Sequence, residues 1–375
     1  MHKTRKTKIQ TSSKKIFVIY TGGTIGMKPN DDGAQVPVPK EFISRLKSIP
    51  QLLDPELASK HFPNLDENEL VLSATGCLIV YKVCEYDPLL DSSSMTPNEW
   101  IKIAKDIEEN YENFDGFVIL HGTDTLAYTS SVLSFLFEGL QKPVIVTGAQ
   151  LSVFETRSDA VDNILGALIL SGCYEIPEVC VFFANKLFRG NRTTKISVKK
   201  LAGFDSPNYD ILADTQTTIK LNNNYIRKPD TSPFRVNTNL NTNVGILTFF
   251  PTMTPSMLEL FLQPFDGLVI RSYGSGNVPS DQPELIQVLK NAIDRGLLII
   301  NTTQCLEGAV SGIYQTGKIL EDIGVISGYD MTPEAALTKL SVVLAYPHLS
   351  HQERIQMMKS NIRGELTSNH SYSVT

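Results

Sequence analysis

Short apolar segments alternate with amphipathic helical segments along most of this 375-residue chain. The apolar segments predict strands at 16–20, 117–120, 144–147, 179–183, 244–249, 268–270 and 297–301. Apolar strands that alternate with helices are typical of a mostly parallel sheet covered by helices on its faces. We therefore expect an α/β protein with a larger N-terminal domain, in which helices flank a mostly parallel sheet, and a smaller C-terminal α/β domain.

Capping residues mark where several helices begin. Thr96 is followed by Pro97 and Glu99, which predicts an N-cap, a proline at the first helical position and a capping box. Apolar side chains then recur on one helix face as far as Tyr111. The same Thr-Pro pattern predicts two later helix starts, at Thr254-Pro255 and Thr332-Pro333. These starts place helices between predicted strands, as the α/β class requires.

The length of the chain suits about two domains. Residues 214–243 are rich in Asn and Thr, contain Pro229 and Pro233, and have little apolar periodicity. This composition predicts an interdomain linker, with a short hairpin around 219–226. We predict a basic mobile tail at 1–15, an N-terminal domain at 16–213, the linker at 214–243 and a C-terminal domain at 244–375.

Composition and charge exclude several classes of function. The net charge is −6, and no apolar run approaches the roughly 18 residues of a membrane span. We therefore expect no nucleic-acid partner and no membrane segment, and we interpret the cations of the first fifteen residues as a solvated tail. The five cysteines lack CxxC pairs and Cys/His zinc spacing. This pattern predicts reduced thiols in a cytosolic protein, without a metal site.

Two turns that follow predicted strands carry threonine hydroxyls. Thr21-Gly22-Gly23-Thr24 follows the strand at 16–20, and His121-Gly122-Thr123-Asp124-Thr125 follows the strand at 117–120. Open α/β sheets bind ligands at the carboxyl ends of their strands, so the two turns predict one site built on threonine. The first turn lacks both GxGxxG and GxxxxGK[ST], so a nucleotide site has no specific motif here.

The candidates in these turns each have a functional and a structural interpretation. The Thr24 hydroxyl can attack an acyl carbon if a neighbour accepts its proton, or Thr24 is an ordinary strand-end residue. Thr123 and Asp124 can supply a second hydroxyl and a carboxylate for a substrate ammonium, or one of them caps the following helix. His121 is expected to orient its turn rather than to act as a base.

Two further polar segments contain candidate residues. In segment 189–195, Lys195 can serve as a general base if burial lowers its pKa; otherwise the segment is a solvated basic loop. Segment 91–94, Asp-Ser-Ser-Ser, is interpreted as a capping or turn cluster. It becomes a carboxylate-binding site only if it faces the threonines.

Five motifs, taken in order, resemble one family. They are YTGGTIGM at 20–27, HGTDT at 121–125, RGNRTTK at 189–195, RSYGSGN at 271–277 and RGEL at 363–366. The chain resembles the bacterial-type L-asparaginases over roughly residues 16–366, and the cytosolic type I branch in particular. Five motifs in the same order are far more specific than a single Gly-Thr motif.

The resemblance implies hydrolysis of L-asparagine to L-aspartate and ammonia, with no cofactor. It implies that Thr24 is the nucleophile and that a second catalytic set consists of Thr123, Asp124 and Lys195. Ser92 and Ser93 match positions at the substrate α-carboxylate, whereas Asp124 also binds the α-ammonium. Backbone N–H groups of residues 122–123 would stabilise the oxyanion. The resemblance further implies a cytoplasmic homotetramer, built as a dimer of dimers.

One departure from the family concerns activation, and one further site concerns regulation. Family members usually supply a tyrosine from the loop after the nucleophile, but segment 27–40 contains none, so Tyr314 is the candidate activator. Some type I enzymes carry a second, allosteric asparagine site, whose matching positions here are Thr194, Arg271, Asn277 and Cys305. The alternatives are a non-catalytic or weakly active asparagine sensor, a broader glutaminase-asparaginase, and the amide-releasing subunit of a tRNA amidotransferase.

Overall fold

The computed structural model describes residues 13–74, 76–311 and 315–367. Its strands are, in chain order, β1 (Ser13–Gly22), β2 (Met27–Pro29), β3 (Gln35–Pro37), β4 (Glu69–Ala74), β5 (Cys77–Leu90), β6 (Gly116–Leu120), β7 (Phe137–Glu138), β8 (Val144–Thr147), β9 (Val179–Phe183), β10 (Lys186–Arg189), β11 (Thr194–Lys195), β12 (Phe204–Asp205), β13 (Ala213–Asp214), β14 (Lys220–Leu221), β15 (Arg235–Val236), β16 (Val244–Thr248), β17 (Gly267–Ser272), β18 (Leu298–Thr303) and β19 (Ile326–Ser327). Its α-helices are α1 (Glu41–Lys47), α2 (Pro55–His61), α3 (Pro97–Asn110), α4 (Leu126–Leu136), α5 (Ala160–Cys173), α6 (Pro255–Leu262), α7 (Pro283–Asp294), α8 (Gln315–Asp322), α9 (Pro333–Ala345) and α10 (His351–Lys359).

A nine-stranded sheet forms the centre of the N-terminal part, in the order β14-β13-β10-β9-β8-β6-β1-β5-β4. The five strands from β9 to β5 run parallel, and antiparallel strands extend both edges. Successive side chains of β1 and β6 alternate between two apolar clusters: Val18 and Leu120 belong to one, Phe17 and Ile119 to the other. Burial on both faces explains why these strands read as continuous apolar runs.

A second sheet, in the order β16-β17-β18-β19, is parallel throughout. Leu258 of α6 and Leu289 of α7 belong to the apolar cluster that includes Ile270 of β17. Leu340 of α9 and Met358 of α10 belong to a second cluster, which includes Val269 of β17. Val269 and Ile270 are neighbours in the strand, so their side chains point to opposite faces of the sheet. Helices therefore cover both faces of this sheet too. The predicted α/β class, with a larger mostly parallel N-terminal sheet and a smaller C-terminal domain, is confirmed.

The predicted helix starts are also confirmed. The Thr96 hydroxyl accepts a hydrogen bond from the Asn98 backbone N–H (3.3 Å), and Glu99 accepts one from the Thr96 backbone N–H (2.8 Å). These bonds complete the capping box at the start of α3. Thr254 and Thr332 cap α6 and α9, and in each case the side chain accepts a backbone N–H from the first helical turn.

The start of the chain and residues 214–243 depart from the prediction. Residues 1–12 of the predicted tail lie outside the described residues, whereas residues 13–15 belong to β1 and pair with β5. The Asp115 carboxylate binds the first residues of β1. It accepts a hydrogen bond from the Lys15 backbone N–H (2.8 Å), and Lys14 Nζ lies 3.2 Å from it. Between 214 and 243, β14 pairs antiparallel with β13 and β15 with β7, so the short hairpin expected around 219–226 lies earlier, at 213–221. This segment has few apolar residues, and its backbone groups instead extend existing strands.

Segment 361–367 contacts the loop that leads to Lys195. The Gly364 carbonyl accepts hydrogen bonds from Arg189 Nη1 (3.3 Å) and Arg192 Nε (2.8 Å). Arg192 is buried, and its Nη1 lies 2.9 Å from a carboxylate oxygen of Asp330. The C-terminal domain therefore holds this N-terminal loop through a buried ion pair and two backbone contacts.

Candidate active site

The two threonine turns lie side by side at one edge of the larger sheet. β1 and β6 are parallel neighbours, with Tyr20 in register with Leu120, so both strands end at this edge. Gly23 has φ 86°, and a Cβ atom built on it would lie 2.3 Å from Gly122 Cα. Only glycine permits this approach of the two backbones. The predicted grouping of the two turns in one site is therefore what the fold produces.

The threonines of the first turn differ in their surroundings. Thr21 is buried, and its hydroxyl donates to the Leu120 carbonyl (3.1 Å), so it joins the ends of β1 and β6. Thr24 is half-buried and begins a short 3-10 turn, Thr24–Gly26. Within the described residues, its hydroxyl has no hydrogen-bond partner in the protein. Of these two hydroxyls, that of Thr24 is the one free to meet a ligand.

Lys195 connects the second turn to the segment 189–195. Its Nζ lies 2.8 Å from Thr123 Oγ1 and 2.6 Å from Asp124 Oδ1. The Lys195 side chain is only 17% exposed, so a solvated basic loop is the wrong interpretation for this residue. The helix α4 begins at Leu126 with no side-chain cap, so capping by Thr123 or Asp124 is also wrong. Both residues instead bond to Lys195.

The serine cluster faces the second turn. Ser92 is buried, and its hydroxyl accepts a hydrogen bond from the Asp124 backbone N–H (3.2 Å). The Ser92 carbonyl accepts one from the Thr125 hydroxyl (2.7 Å). Ser93 is exposed, and its backbone N–H donates to Asp91 (2.9 Å). Ser92 therefore faces the turn that carries Thr123, whereas Ser93 bonds within its own cluster.

His121 lies fully buried behind the second turn. Its Nδ1 lies 2.7 Å from the Gly122 carbonyl and its Nε2 lies 2.9 Å from the Thr129 hydroxyl. A carbonyl only accepts, so Nδ1 carries the proton and Nε2 accepts from Thr129, which in turn accepts from the Trp100 indole (3.0 Å). Burial lowers the pKa of His121 to about 4. The ring is therefore neutral near pH 7 and orients its turn.

A cavity of about 400 Å³ lies next to Lys195, on the side of the C-terminal domain. Three of the four residues predicted for a second ligand site line it, and Asn277 does not; the three are Thr194, Arg271 and Cys305. Asn277 instead forms a backbone bridge with Tyr273. The four predicted positions are thus only partly brought together.

Glu334, which sequence reasoning missed, also lines this cavity. Its Oε1 accepts a hydrogen bond from the Thr194 hydroxyl (2.7 Å), whereas its buried Oε2 has no partner among the described residues. Burial raises the pKa of Glu334, although Thr194 and Arg271 act in the opposite direction. An acidic residue is common in the first turn of a helix, so the sequence around Glu334 does not indicate a binding role.

Three further predictions concern the loop after Thr24, a metal site and a membrane segment. Segment 27–40 forms the β2–β3 hairpin, and Tyr314 lies outside the described residues. Across the described ranges, no cluster of three or more His, Cys, Asp or Glu residues could hold a metal ion. No helix in those same ranges is long and apolar enough to cross a membrane.

Two family models match the chain. One is described as Asparaginase, N-terminal, and covers residues 15–227; the other, Glutaminase/Asparaginase C-terminal domain, covers residues 243–358. The chain is 46% identical over 364 residues to the L-asparaginase of Dirofilaria immitis. This alignment covers 96% of this chain and 62% of that relative. It is 44% identical over 358 residues to the 60 kDa lysophospholipase of Mus musculus, covering 94% of this chain and 63% of that protein.

The chain thus spans 62% and 63% of the length of these two curated relatives. The fold is similar to the solved structure of L-asparaginase I from Vibrio cholerae O1 biovar eltor str. N16961, with a TM-score of 0.81 and 42% sequence identity. The match covers 95% of this chain and all of that one. With matches to both family models and to a whole L-asparaginase I chain, this protein belongs to the asparaginase family.

Proposed function

We propose that this protein is an amidohydrolase that converts L-asparagine to L-aspartate and ammonia. The observation that carries the proposal is the position of Lys195 Nζ between Thr123 Oγ1 (2.8 Å) and Asp124 Oδ1 (2.6 Å). The turn of Thr24 packs directly against this group, through Gly23 and Gly122. A hydroxyl free of protein partners therefore lies beside a second hydroxyl paired with a lysine, the arrangement that nucleophilic catalysis requires.

In the proposed reaction, Thr24 Oγ1 attacks the side-chain amide carbon. The neutral amine form of Lys195, acting through the Thr123 hydroxyl, takes up the hydroxyl proton and delivers it to the leaving nitrogen as the C–N bond breaks. Backbone N–H groups of residues 122–123 stabilise the oxyanion. Water then cleaves the aspartyl ester, which releases aspartate and restores the Thr24 hydroxyl.

The α-carboxylate and the α-ammonium of free asparagine carry opposite charges and need separate binding partners. We assign the α-carboxylate to Ser92 and Ser93 and the α-ammonium to Asp124. Asp124 supports this role because its carboxylate is 62% exposed and one oxygen alone bonds Lys195. Ser92, buried against the Asp124 backbone, brings the two binding groups together.

Ammonia release by the purified protein tests the proposal. Wild type is expected to release one ammonia per aspartate formed, and Thr24→Ala to lose this activity without a large change in melting temperature. Thr252→Ala, which alters an exposed threonine of the C-terminal domain, is the matched control and should retain activity. Normal turnover by Thr24→Ala would contradict the assigned nucleophile.

Two other functions are outcomes of the same assay. Segment 27–40 lacks the tyrosine that the family uses for activation, so asparagine binding without ammonia release would identify a sensor instead of an enzyme. Equal rates with glutamine would identify a broader glutaminase-asparaginase. The name of the mouse relative points to lysophospholipid cleavage, and lysophosphatidylcholine is therefore included as a third substrate.

We further propose that asparagine also binds in the 400 Å³ cavity and activates the enzyme. Arg271 supports this because a guanidinium can bind a carboxylate through two hydrogen bonds, and its Nε has no protein partner among the described residues. Thr194, next to Lys195, connects the cavity to the catalytic lysine. A sigmoidal rate curve that becomes hyperbolic in Arg271→Ala is expected, and a hyperbolic wild-type curve would remove the case for regulation.

We also propose a homotetramer that works in the cytoplasm. The apolar side chains of Ile196, Val198 and Leu201 are exposed directly after Lys195, which suits contact with another subunit. All five cysteines are free thiols, as expected in a reducing compartment. Sedimentation equilibrium tests the assembly, and a monomer at micromolar concentration would contradict it.

A further inference from the structure

A small cavity unrelated to the threonine site lies beside the amino end of β9. Its volume is about 30 Å³. The threonine turns lie at the carboxyl ends of β1 and β6, so the cavity is on the opposite edge of the sheet. The ionisable residues that line it are four cations and two carboxylates: Arg189, Arg227, Lys228, Arg363, Glu178 and Asp230.

The two carboxylates are already committed to other groups. Glu178 is buried and accepts hydrogen bonds from Arg189 Nε (2.6 Å), Arg189 Nη2 (3.3 Å) and the Arg227 backbone N–H (2.7 Å). Asp230 is exposed, and its Oδ1 accepts from the backbone N–H (2.9 Å) and hydroxyl (2.8 Å) of Ser232. Arg189 therefore forms an ion pair with Glu178, whereas the other three cations form no ion pair among the described residues.

Two guanidinium groups at the cavity have no carboxylate at ion-pair distance among the described residues. In the part of the chain that the structure describes, the half-buried Arg227 guanidinium has no hydrogen-bond acceptor and no carboxylate within 4 Å. Among the described residues, the Arg363 guanidinium donates to the backbone carbonyls of Phe137 (3.2 Å) and Ile362 (2.9 Å) and forms no ion pair. Burial lowers the pKa of Arg227; attraction to Glu178 and Glu365 opposes this shift, and repulsion from Arg363 and Arg189 adds to it. Desolvated cations without partners are costly, so this arrangement favours a bound anion.

We infer that this cavity binds a small inorganic anion of the size of chloride, with Arg227 and Arg363 as its charged ligands. A volume of about 30 Å³ accommodates one or two water-sized particles, which suits a monatomic ion better than a tetrahedral oxyanion. The anion would offset the repulsion between the two guanidinium groups. It would thereby stabilise segment 361–367, which carries Arg363 and contacts the loop before Lys195.

Thermal unfolding at constant ionic strength tests the site. Sodium chloride is compared with sodium gluconate, whose anion is too large for the cavity, and with sodium sulfate. Chloride is expected to raise the melting temperature of wild type saturably by about 2–4 °C, because a ligand that binds only the folded state stabilises it. Equal melting temperatures in chloride and gluconate would overturn the inference, and a larger, saturable effect of sulfate that is lost in Arg227→Gln would overturn the assigned anion size.

Three variants separate the site from a general salt effect. Arg227→Gln is expected to lose the chloride-dependent rise, whereas Lys105→Gln, which removes an exposed cation of α3, keeps it. Asp230→Asn removes a negative charge from the rim and should lower the chloride concentration at half-saturation several-fold. A chloride response in Arg227→Gln equal to that of wild type would contradict the site.

Bromide soaking of wild-type crystals gives a readout that does not depend on any variant folding. An anomalous peak is expected within hydrogen-bond distance of the Arg227 and Arg363 guanidinium groups. Absence of a peak there, with bromide bound elsewhere on the molecule, would overturn the assignment.

Discussion

The side chain of Lys195 is surrounded by protein on most sides. Only 17% of its side chain is exposed, and both of its side-chain partners, Thr123 and Asp124, belong to one turn. Lys195→Met keeps much of the side-chain length but removes the charge and the proton-carrying nitrogen. We expect turnover to fall by about 10²–10⁴-fold, the usual size of a general acid–base contribution.

The matched control for this prediction is Lys199→Met. Lys199 is exposed on the same loop, so its replacement removes a similar charge without touching the turn. Turnover numbers for both variants are measured under saturating asparagine. Equally small decreases in the turnover number of the two variants would show that Lys195 has no role in catalysis.

His121 predicts a specific response of stability to acid. Its pKa falls to about 4 in the folded protein because of burial, whereas an unfolded histidine titrates near 6.5. Between these values the unfolded chain binds more protons, so the free energy of unfolding should decrease as the pH falls from about 6.5 to 4. This histidine alone contributes about 3 kcal/mol to that decrease, from roughly 1.4 kcal/mol per pKa unit.

Urea unfolding at several pH values measures this contribution. In His121→Gln, the decrease between pH 6.5 and 4 should be smaller than in wild type, because the neutral amide cannot take up the proton. His61→Gln changes an exposed histidine of α2 and should leave the pH dependence unchanged. The same slope in all three proteins would contradict the role of His121.

At the scale of elements, the junction between the ends of β1 and β6 depends on Gly23. A Cβ atom there would lie 2.3 Å from Gly122 Cα, and the positive φ of 86° already disfavours a side chain. With φ 86° and ψ 175°, Gly23 occupies a region essentially restricted to glycine, so Gly23→Ala is expected to cost about 1–3 kcal/mol from backbone conformation and a further ~1–3 kcal/mol from the close contact. Since the two turns must move apart, activity should be lost as well.

Gly33→Ala is the control for this prediction. Gly33 has a similar φ of 81° in the β2–β3 hairpin, but nothing lies within 4 Å of the added Cβ atom. It should therefore show only the conformational part of the loss in unfolding free energy and retain most of its activity. If both variants behave alike, the approach of the two turns is not what constrains Gly23.

At the scale of the whole molecule, a buried ion pair anchors the end of the described chain. Lys339 Nζ of α9 lies 2.6 Å from Glu365 Oε1, and both side chains are 0% exposed. Glu365→Gln leaves the Lys339 charge without its partner and should destabilise the protein by about 3–5 kcal/mol. The hydrogen bonds of the adjacent Gly364 carbonyl to Arg189 and Arg192 would then weaken. Because these residues precede Lys195 in the same loop, turnover should also decrease.

A double-mutant cycle measures this ion pair. Lys339→Met combined with Glu365→Gln removes both charges, and we expect it to be less destabilising than the sum of the two single variants. The unfolding free energies of all four proteins give the interaction energy. Strict additivity would show that the pair does not couple α9 to the end of the chain.

The strands and helix starts could be predicted because they depend on neighbours in sequence. Apolar runs revealed β1 and β6, and Thr-Pro pairs located the starts of α6 and α9. Glu334 and Arg227 could not be recognised in this way, because each is an ordinary charged residue among its sequence neighbours. Their surroundings arise from segments more than a hundred residues apart, such as Thr194 and Glu334.

The sequence by itself determined the α/β class, the two threonine turns and the family to which the chain belongs, because apolar periodicity, capping residues and short motifs are local. Only the tertiary structure decided that Lys195 is shielded between Thr123 and Asp124, that neither of these residues caps α4, and that residues 13–15 extend β1. The physical reason is that burial and charge pairing depend on which distant segments pack together, and strand order sets that packing.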